Sequence, residues 1–249
     1  MVAMAAALLS GCGSAPVGSR DLQADAAWRD ARQMVLVVTD DWTATTGTLQ
    51  TFARDDAGQW HEQGEPAPVS IGRGGSGWGI GLHPAQTDGP AKREGDGRSP
   101  AGVFAIGEAF GYAADAITAL PYTQMQASSW CMDVAGSPLY NRIVDAREVG
   151  DEAVRGSSEP MRLDLHNDGD PRYRTGFVIE HNAAARKDAG SCIFAHLWRK
   201  PGEPTAGCTA MADATMARLY AWLQPAAKPV FVLLPKAEHD RLRADWQLP

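Results

Sequence analysis

The sequence predicts a mostly β fold, a β-rich α+β domain, because turn-forming residues and short apolar runs dominate it while a single helix stands out. The 249 residues include 26 glycines and 16 prolines, which suit many turns between short strands. This length is sufficient for one large hydrophobic core. We therefore expect one folded domain over residues 34–235, with a short segment at either end.

The first strands are predicted from apolar runs and from the alternation of polar and apolar side chains. Residues 34–39 form an apolar, β-branched run, and residues 48–54 alternate in polarity. A further short strand near Trp60 would complete an antiparallel meander. The glycine-rich stretch 70–102 predicts loops, and residues 103–106 predict the next strand.

The middle of the chain is harder to assign. Residues 111–160 show no clear period and predict an elaborated loop region that forms part of a cleft. The strongest strand candidates of the whole chain follow, at residues 177–181 and 192–196.

One helix is predicted near the end of the chain, over residues 213–223. Apolar residues recur at i, i+3, i+4 and i+7 from Met216, and Asp213 is placed to cap the first turn. An apolar strand over residues 229–234 follows, and residues 236–249 would form a C-terminal tail.

Charge and loop composition argue against two classes of partner. The net charge is −7, and no basic stripe is present to replace the counterions of nucleic acid. The glycine-rich loops at residues 72–75 and 94–102 fit neither a P-loop nor a Gly-x-Gly-x-x-Gly turn between a strand and a helix. We therefore expect no nucleic acid partner and no nucleotide cofactor.

The beginning of the sequence looks like a lipoprotein-type signal peptide over residues 1–12. A short apolar stretch ends in Leu-Ser-Gly-Cys, which is typical of a bacterial lipobox with lipid attached to Cys12. The stretch is too short to span a bilayer. Residues 13–33 would then be a tether, and the protein would face the periplasm of the bacterial cell envelope, lipid-anchored or secreted. The alternative interpretation is a plain secretory signal or a chance run.

A histidine and a cysteine twelve positions apart are the candidate catalytic residues. His196 lies on a predicted strand, and Cys208 follows Gly207 in a tight turn. A thiol is a useful nucleophile only as the thiolate, and a neighbouring imidazole is a common way to produce it. A glycine at position 207 permits a sharp turn that exposes the sulfur and aims N–H groups at an oxyanion.

The spacing of these residues alone leaves three interpretations open. The first is nucleophilic catalysis, and the second is a zinc site that also includes Cys192. The third is a structural one, with a core histidine and a buried thiol. Zinc is disfavoured because Cys192 and His196 would lie about 13 Å apart on an extended strand, whereas zinc donors lie within about 2.3 Å of the metal.

The four cysteines predict one disulfide. If Cys12 carries lipid and Cys208 is the nucleophile, Cys131 and Cys192 remain to pair in an oxidising compartment. Their bridge would close a loop of about 60 residues and stabilise the fold by roughly 4 kcal/mol. Two buried free thiols are the alternative.

Several motifs in a fixed order resemble the L,D-transpeptidase catalytic domain (YkuD-type) family of bacterial cell-wall enzymes. His196 and the later Thr-Ala-Gly-Cys run at 205–208 resemble the family's histidine, spacer and Ser/Thr-x-Gly-Cys. Residues 94–104 resemble its Gly-Asp-Gly-x-Ser/Thr-Pro-x-Gly-x-Phe motif, and residues 139–141 and 190–196 stand in the expected order. The resemblance covers roughly residues 69–234. It implies a β-rich, sandwich-like sheet fold with one main helix after the cysteine.

The resemblance also implies a reaction. Cys208 would be the nucleophile and His196 the general base, with Gly207 and Thr205 forming the turn and the oxyanion site. The thiolate would attack a peptidoglycan tetrapeptide stem, form a thioester and pass the acyl group to an amine, without metal or organic cofactor. A backbone carbonyl near Leu197 would orient the imidazole.

Two other outcomes of the same site stay open. With water as the acceptor, the protein would be an L,D-carboxypeptidase or a cross-link hydrolase. A non-catalytic wall-binding lipoprotein is the remaining alternative, because Ala206 stands where many members have histidine. Ala210 likewise stands where many have arginine or asparagine.

Five further residues are candidates for substrate binding. Arg98 would bind a stem-peptide carboxylate, although an arginine in this loop is also compatible with simple solvation. Tyr140, together with Trp130, would form a wall of the cleft or else belong to a minor core, and Asn141 beside it is a further candidate for substrate binding. His181 and Asn182 would line the cleft at the end of a strand, or else begin a turn.

Overall fold

The computed structural model describes residues 28–249. The predicted signal peptide, its lipidation site Cys12 and most of the predicted tether lie outside the described residues. Strands contain 34% of the residues and helices 13%, which confirms the predicted β-rich fold. Between residues 28 and 249, no helix combines the length and the apolar composition needed to cross a membrane.

Within the described residues, eight strands precede the first helix, and the later strands and helices are interspersed. The strands are β1 (Gln33–Thr39), β2 (Thr46–Arg54), β3 (Trp60–Ser70), β4 (Ser76–Trp78), β5 (Ser99–Gly111), β6 (Tyr122–Gln124), β7 (Ser129–Cys131), β8 (Ile143–Asp145), β9 (Glu159–Pro160), β10 (Thr175–Ile179), β11 (Phe194–Leu197), β12 (Thr209–Met211) and β13 (Val230–Pro235). The helices are α1 (Ala146–Val149), α2 (Leu163–His166), α3 (Asp213–Trp222) and α4 (Lys236–Leu242), with a 3₁₀ turn at Pro225–Ala227.

The main sheet closes on itself through its longest strand. Its order is β10-β11-β12-β3-β2-β1-β13-β5-β4, with β6 added beside β5. The first part of β5 pairs with β13, and its second part pairs with β10, which also begins the order. The inward faces of these strands bury a continuous apolar core, and every residue of β13 is buried.

The end of the chain belongs to this core. Residues 236–249, predicted as a tail, contain α4, and Trp246 and Leu248 are buried. The Trp246 ring meets the rings of Trp28 and Trp78 edge to face. The folded domain therefore extends through this segment.

Helix α3 lies close to the predicted range, but its first turn is built differently. The residue at the N-cap position is Ala212, which has no side chain able to cap. Asp213 lies inside the first turn, where its carboxylate pairs with Arg174 at 2.7 Å. The prediction that Asp213 caps the helix is therefore wrong.

A small second sheet occupies the region predicted as an elaborated loop. Strands β8, β7 and β9 form it, in that order. A disulfide joins Cys131 on β7 to Cys192, the two cysteines for which the sequence predicts a bridge. Cys192 has a φ of +56°, a left-handed conformation that ends extended pairing, so β11 begins at Phe194 and not at Cys192. The disulfide thereby fastens the small sheet to the segment that leads into β11.

Candidate active site

The parallel pairing of β11 and β12 brings the candidate catalytic residues to one face of the main sheet. His196 lies opposite Ala210 in this register. Because side chains alternate between the two faces of a strand, Cys208 projects from the same face as Ala210. His196 and Cys208 therefore face the same cleft, on neighbouring chain segments.

His196 is held in one tautomer by the backbone. Its Nδ1 lies 2.6 Å from the Leu197 carbonyl oxygen. A carbonyl can only accept, so Nδ1 carries the proton and Nε2 keeps its lone pair. Burial lowers the pKa of His196 to about 4, so the ring is neutral at pH 7. Leu197 thus supplies the orienting carbonyl that the sequence analysis expected near this position.

The turn before Cys208 is fixed by hydroxyl groups and requires glycine. Gly207 has a φ of +156°, and a Cβ there would lie 3.0 Å from the carbonyl oxygen of Arg98. The Thr205 hydroxyl accepts from the Gly207 N–H at 3.1 Å and donates to the Cys208 carbonyl at 2.6 Å. Ser99 donates a second hydrogen bond to that carbonyl at 3.1 Å. The Gly207 N–H is therefore already occupied in this conformation and does not point into an oxyanion site.

Cys208 carries a buried free thiol. Its sulfur accepts from the Phe194 N–H at 3.4 Å and lies 3.5 Å from the Cys192 carbonyl oxygen. Burial, and next the negative charge of Glu159, raises the pKa of the thiol to about 12, while hydrogen bonds from Phe194 and the Tyr173 hydroxyl oppose this. No hydrogen bond joins Cys208 to His196 in the part of the chain that the structure describes.

Both residues line one polar cleft of 570 Å³. Charged side chains from several loops and from the small sheet surround them; these are Arg73, Lys92, Glu94, Asp133, Glu159 and Arg172. Lys92 pairs with Asp96 at 2.7 Å, and Arg172 pairs with Asp170 at 2.7 Å. Arg73 is exposed, and no carboxylate between residues 28 and 249 pairs with it.

Two of the predicted binding residues, Arg98 and Tyr140, do not line the cleft. The Arg98 guanidinium donates to the Ser76 carbonyl at 2.8 Å and so is directed away from the cleft. Tyr140 is buried and donates its hydroxyl to Glu94, which also accepts from Ser191 at 2.7 Å. Tyr140 therefore positions a carboxylate of the cleft and does not itself line it.

The other three predicted binding residues hold loops together. The Asn141 amide donates to the carbonyls of His181 and Asn182 and accepts from the Cys192 N–H, each at 2.9 Å. His181 donates from Nε2 to the Ala189 carbonyl at 2.9 Å, and burial lowers its pKa to about 4. These side chains do not line the cleft that contains Cys208; Asn141 and His181 instead border a separate cavity of 280 Å³.

Sequence reasoning missed two cleft residues that influence the pKa of the Cys208 thiol. Glu159 lies on β9, in the stretch without a clear period, and Tyr173 lies in the turn before β10. Neither belongs to a motif, and they are separated by 14 positions from each other. Only the tertiary structure brings them to Cys208.

The structure removes one donor from the zinc interpretation. Cys192 is oxidised to a disulfide, so its sulfur is not available as a thiolate ligand. Within residues 28–249, no group of three metal-binding side chains is gathered. The zinc hypothesis therefore loses one of its three donors.

A free cysteine and a neutral histidine in one cleft of a closed β sheet define a candidate cysteine-dependent enzyme. The family model for the L,D-transpeptidase catalytic domain (YkuD) matches residues 36–232. Because this match covers most of the chain, the protein belongs to that family, which confirms the resemblance seen in its motifs. The family acts on peptidoglycan stem peptides through a catalytic cysteine. No curated protein matches the chain significantly.

Proposed function

We propose that this protein is a peptidoglycan L,D-transpeptidase in which Cys208 is the nucleophile and His196 the general base. The observation that carries the proposal is the fixed tautomer of His196. With Nδ1 bound to Leu197, the basic Nε2 is the ring atom left for the thiol. Cys208 and His196 share one cleft on the same face of the sheet.

The resting pair is neutral, and this sets the order of events. The thiol has a pKa of about 12 and the imidazole of about 4, so a thiolate–imidazolium pair does not form before substrate binds. The proton therefore moves from sulfur to Nε2 as the sulfur attacks the carbonyl. Substrate binding must also shorten the approach between the two residues, as commonly happens on forming the reactive complex.

The chemistry then balances in two half-reactions. Attack forms a tetrahedral oxyanion, which collapses to a thioester of Cys208, and the D-residue amine leaves with the proton held by His196. An acceptor amine next attacks the thioester, gives up a proton to His196 and releases the sulfur, which regains it. Neither half-reaction calls for a metal or an organic cofactor.

The charges of the cleft support an anionic, peptide-like donor. Arg73 presents a guanidinium with no carboxylate partner among the described residues, next to the 205–208 turn. Lys92 and Arg172, in contrast, are already neutralised by aspartates. Arg73 is therefore the side chain available to a stem carboxylate, the role that the sequence assigned to Arg98.

The place of action proposed for the enzyme is the cell envelope. A disulfide in the folded domain suits an oxidising compartment. Lipidation of Cys12, followed by a tether, would keep the domain at the membrane surface and facing the wall.

The test uses purified full-length protein and disaccharide-tetrapeptide as the only donor and acceptor, with products separated by liquid chromatography and mass spectrometry. The wild type is expected to give a cross-linked dimer with loss of the terminal D-residue. A His61→Ala control should give the same product, because His61 is exposed on β3 and does not line the cleft. Cys208→Ala and His196→Ala should give no dimer. Tripeptide alone would identify a carboxypeptidase, and binding to sacculi without any product would identify a wall-binding protein. Either result would overturn the transpeptidase proposal.

A further inference from the structure

A buried tyrosine, Tyr173, lines the cleft together with the candidate catalytic pair. The Tyr173 ring packs edge to face on His196, with centroids 5.2 Å apart, and on Phe194, with centroids 5.6 Å apart. Tyr173 and Cys208 are buried in the same cluster and line the same cleft, and the Tyr173 hydroxyl lowers the pKa of the Cys208 thiol. Tyr173 thus contacts His196 directly and shares a buried cluster with Cys208.

The same hydroxyl is already engaged by a carboxyl group. Tyr173 donates to Glu159 Oε1 at 2.5 Å. Glu159 lies on β9 and pairs across the small sheet with Cys131. Cys131 is bridged to Cys192, whose carbonyl contacts the Cys208 sulfur. The disulfide therefore ties the strand pair that carries Glu159 to the segment beside the Cys208 sulfur.

We propose that Tyr173 is a further catalytic residue that stabilises the Cys208 thiolate by hydrogen bonding, and that Glu159 is a positioning residue whose protonation decides whether the tyrosine proton is given to the sulfur. The proposal deepens the proposed function and rests on Cys208 being its nucleophile. It concerns the readiness of the sulfur to ionise, not the identity of the acceptor.

Glu159 and the Cys208 sulfur compete for the hydroxyl proton of Tyr173, because a tyrosine hydroxyl has only one proton to donate. When Glu159 is a carboxylate, that proton is held by Oε1, and the sulfur loses its donor. When Glu159 takes up one proton from water, its own O–H donates to the Tyr173 oxygen, and the tyrosine proton is free to turn to the sulfur. The negative charge near the sulfur disappears in the same step.

The ionisation properties of the two groups fit these roles. Burial raises the pKa of Glu159 to about 7, so both of its forms occur near neutral pH. Asp133 raises this pKa further, whereas the Tyr173 hydroxyl and Arg172 lower it. Burial holds the pKa of Tyr173 well above its usual value, so the hydroxyl remains a donor throughout. Glu159 in turn raises the pKa of Cys208 when it is charged.

The experiment measures the second-order rate constant for alkylation of Cys208 by iodoacetamide between pH 5 and pH 10, in the full chain. Peptide mapping by mass spectrometry separates Cys208 from Cys12. In the wild type, the logarithm of the rate constant should rise with pH at a slope below one around pH 7, because loss of the Glu159 proton makes the thiol harder to ionise as the pH rises.

Two conservative variants separate the roles. Glu159→Gln keeps a partner for Tyr173 but has no charge, so the flattened region should vanish and the rate constant at pH 8 should rise about tenfold. Tyr173→Phe should lower the rate constant about tenfold at all pH values. In the double variant, the gain from Glu159→Gln should be much smaller than in the wild type, because the tyrosine transmits it. Glu62→Gln, an exposed carboxyl on β3, serves as the control and should match the wild type.

Two results would overturn the proposal. The first is a Glu159→Gln profile that superimposes on the wild type. The second is an unchanged Glu159→Gln gain in the Tyr173→Phe background, since that would mean that charge alone acts on the sulfur. Because alkylation does not depend on stem peptides, this proposal can fail while cross-linking activity is retained. It can also hold when no dimer is formed.

Discussion

Removal of the disulfide is expected to cost a large part of the stability of this fold. The bridge joins residues that are 61 positions apart. In the chain-entropy treatment, closing a loop of that length stabilises the folded state by about 4 kcal/mol, because the unfolded chain loses freedom. For a domain of this size the corresponding fall in melting temperature is about 10 °C.

The variant for this test is Cys131→Ser with Cys192→Ser, since a single substitution would leave an unpaired thiol beside Cys208. Urea unfolding followed by tryptophan fluorescence gives the free energy of unfolding. Wild type treated with a reductant should lose the same amount as the double variant. A loss below about 1 kcal/mol would refute the reasoning, because it would show that β7 and the segment before β11 stay together without the bridge.

Three further results are expected. Gly207→Ala places a Cβ 3.0 Å from a carbonyl oxygen at a φ of +156°. Cross-linking should therefore fall more than tenfold while the circular dichroism spectrum is retained. Unchanged turnover would show that the turn tolerates a side chain. Asn141→Ala removes three hydrogen bonds and should lower the unfolding free energy by about 3 kcal/mol, whereas a loss under about 1 kcal/mol would show that these loops do not depend on it. Stability should also fall as the pH drops from 6.5 towards 4. The unfolded chain takes up protons on its histidines near pH 6.5, but buried His181 and His196 have pKa values of about 4, so each contributes up to about 3 kcal/mol of destabilisation in that range and nothing above it. In urea titrations at several pH values, His181→Gln should flatten the decline, and an identical pH dependence in this variant would contradict the assignment.

The parts of the fold that sequence patterns predicted are those with strong local signals. The apolar run before residue 40 and the alternation after it are β1 and β2. The apolar spacing from Met216 is α3. The small sheet was missed because its strands have two or three residues, too few to show a period of two. The strand predicted over residues 192–196 begins only at Phe194, because Cys192 has a left-handed backbone and its N–H donates to the Asn141 side chain.

The site residues that the sequence predicted are likewise those with local signals in the chain. His196 and Cys208 belong to motifs with local spacing, and the Leu197 carbonyl lies next to the histidine in the chain. Arg98 was assigned wrongly to the cleft because the direction of a loop side chain depends on a distant acceptor, here the Ser76 carbonyl. Tyr173 was missed for the corresponding reason: its partners come from other parts of the chain.

The central claim is that Cys208 is the nucleophile of this cleft. The most direct test is the intact mass of the protein after incubation with a carbapenem, followed by peptide mapping of the adduct. Wild type should gain one adduct, located on Cys208, and Cys208→Ala should gain none. A wild type that forms no adduct, or an alanine variant that still forms one, would contradict the account.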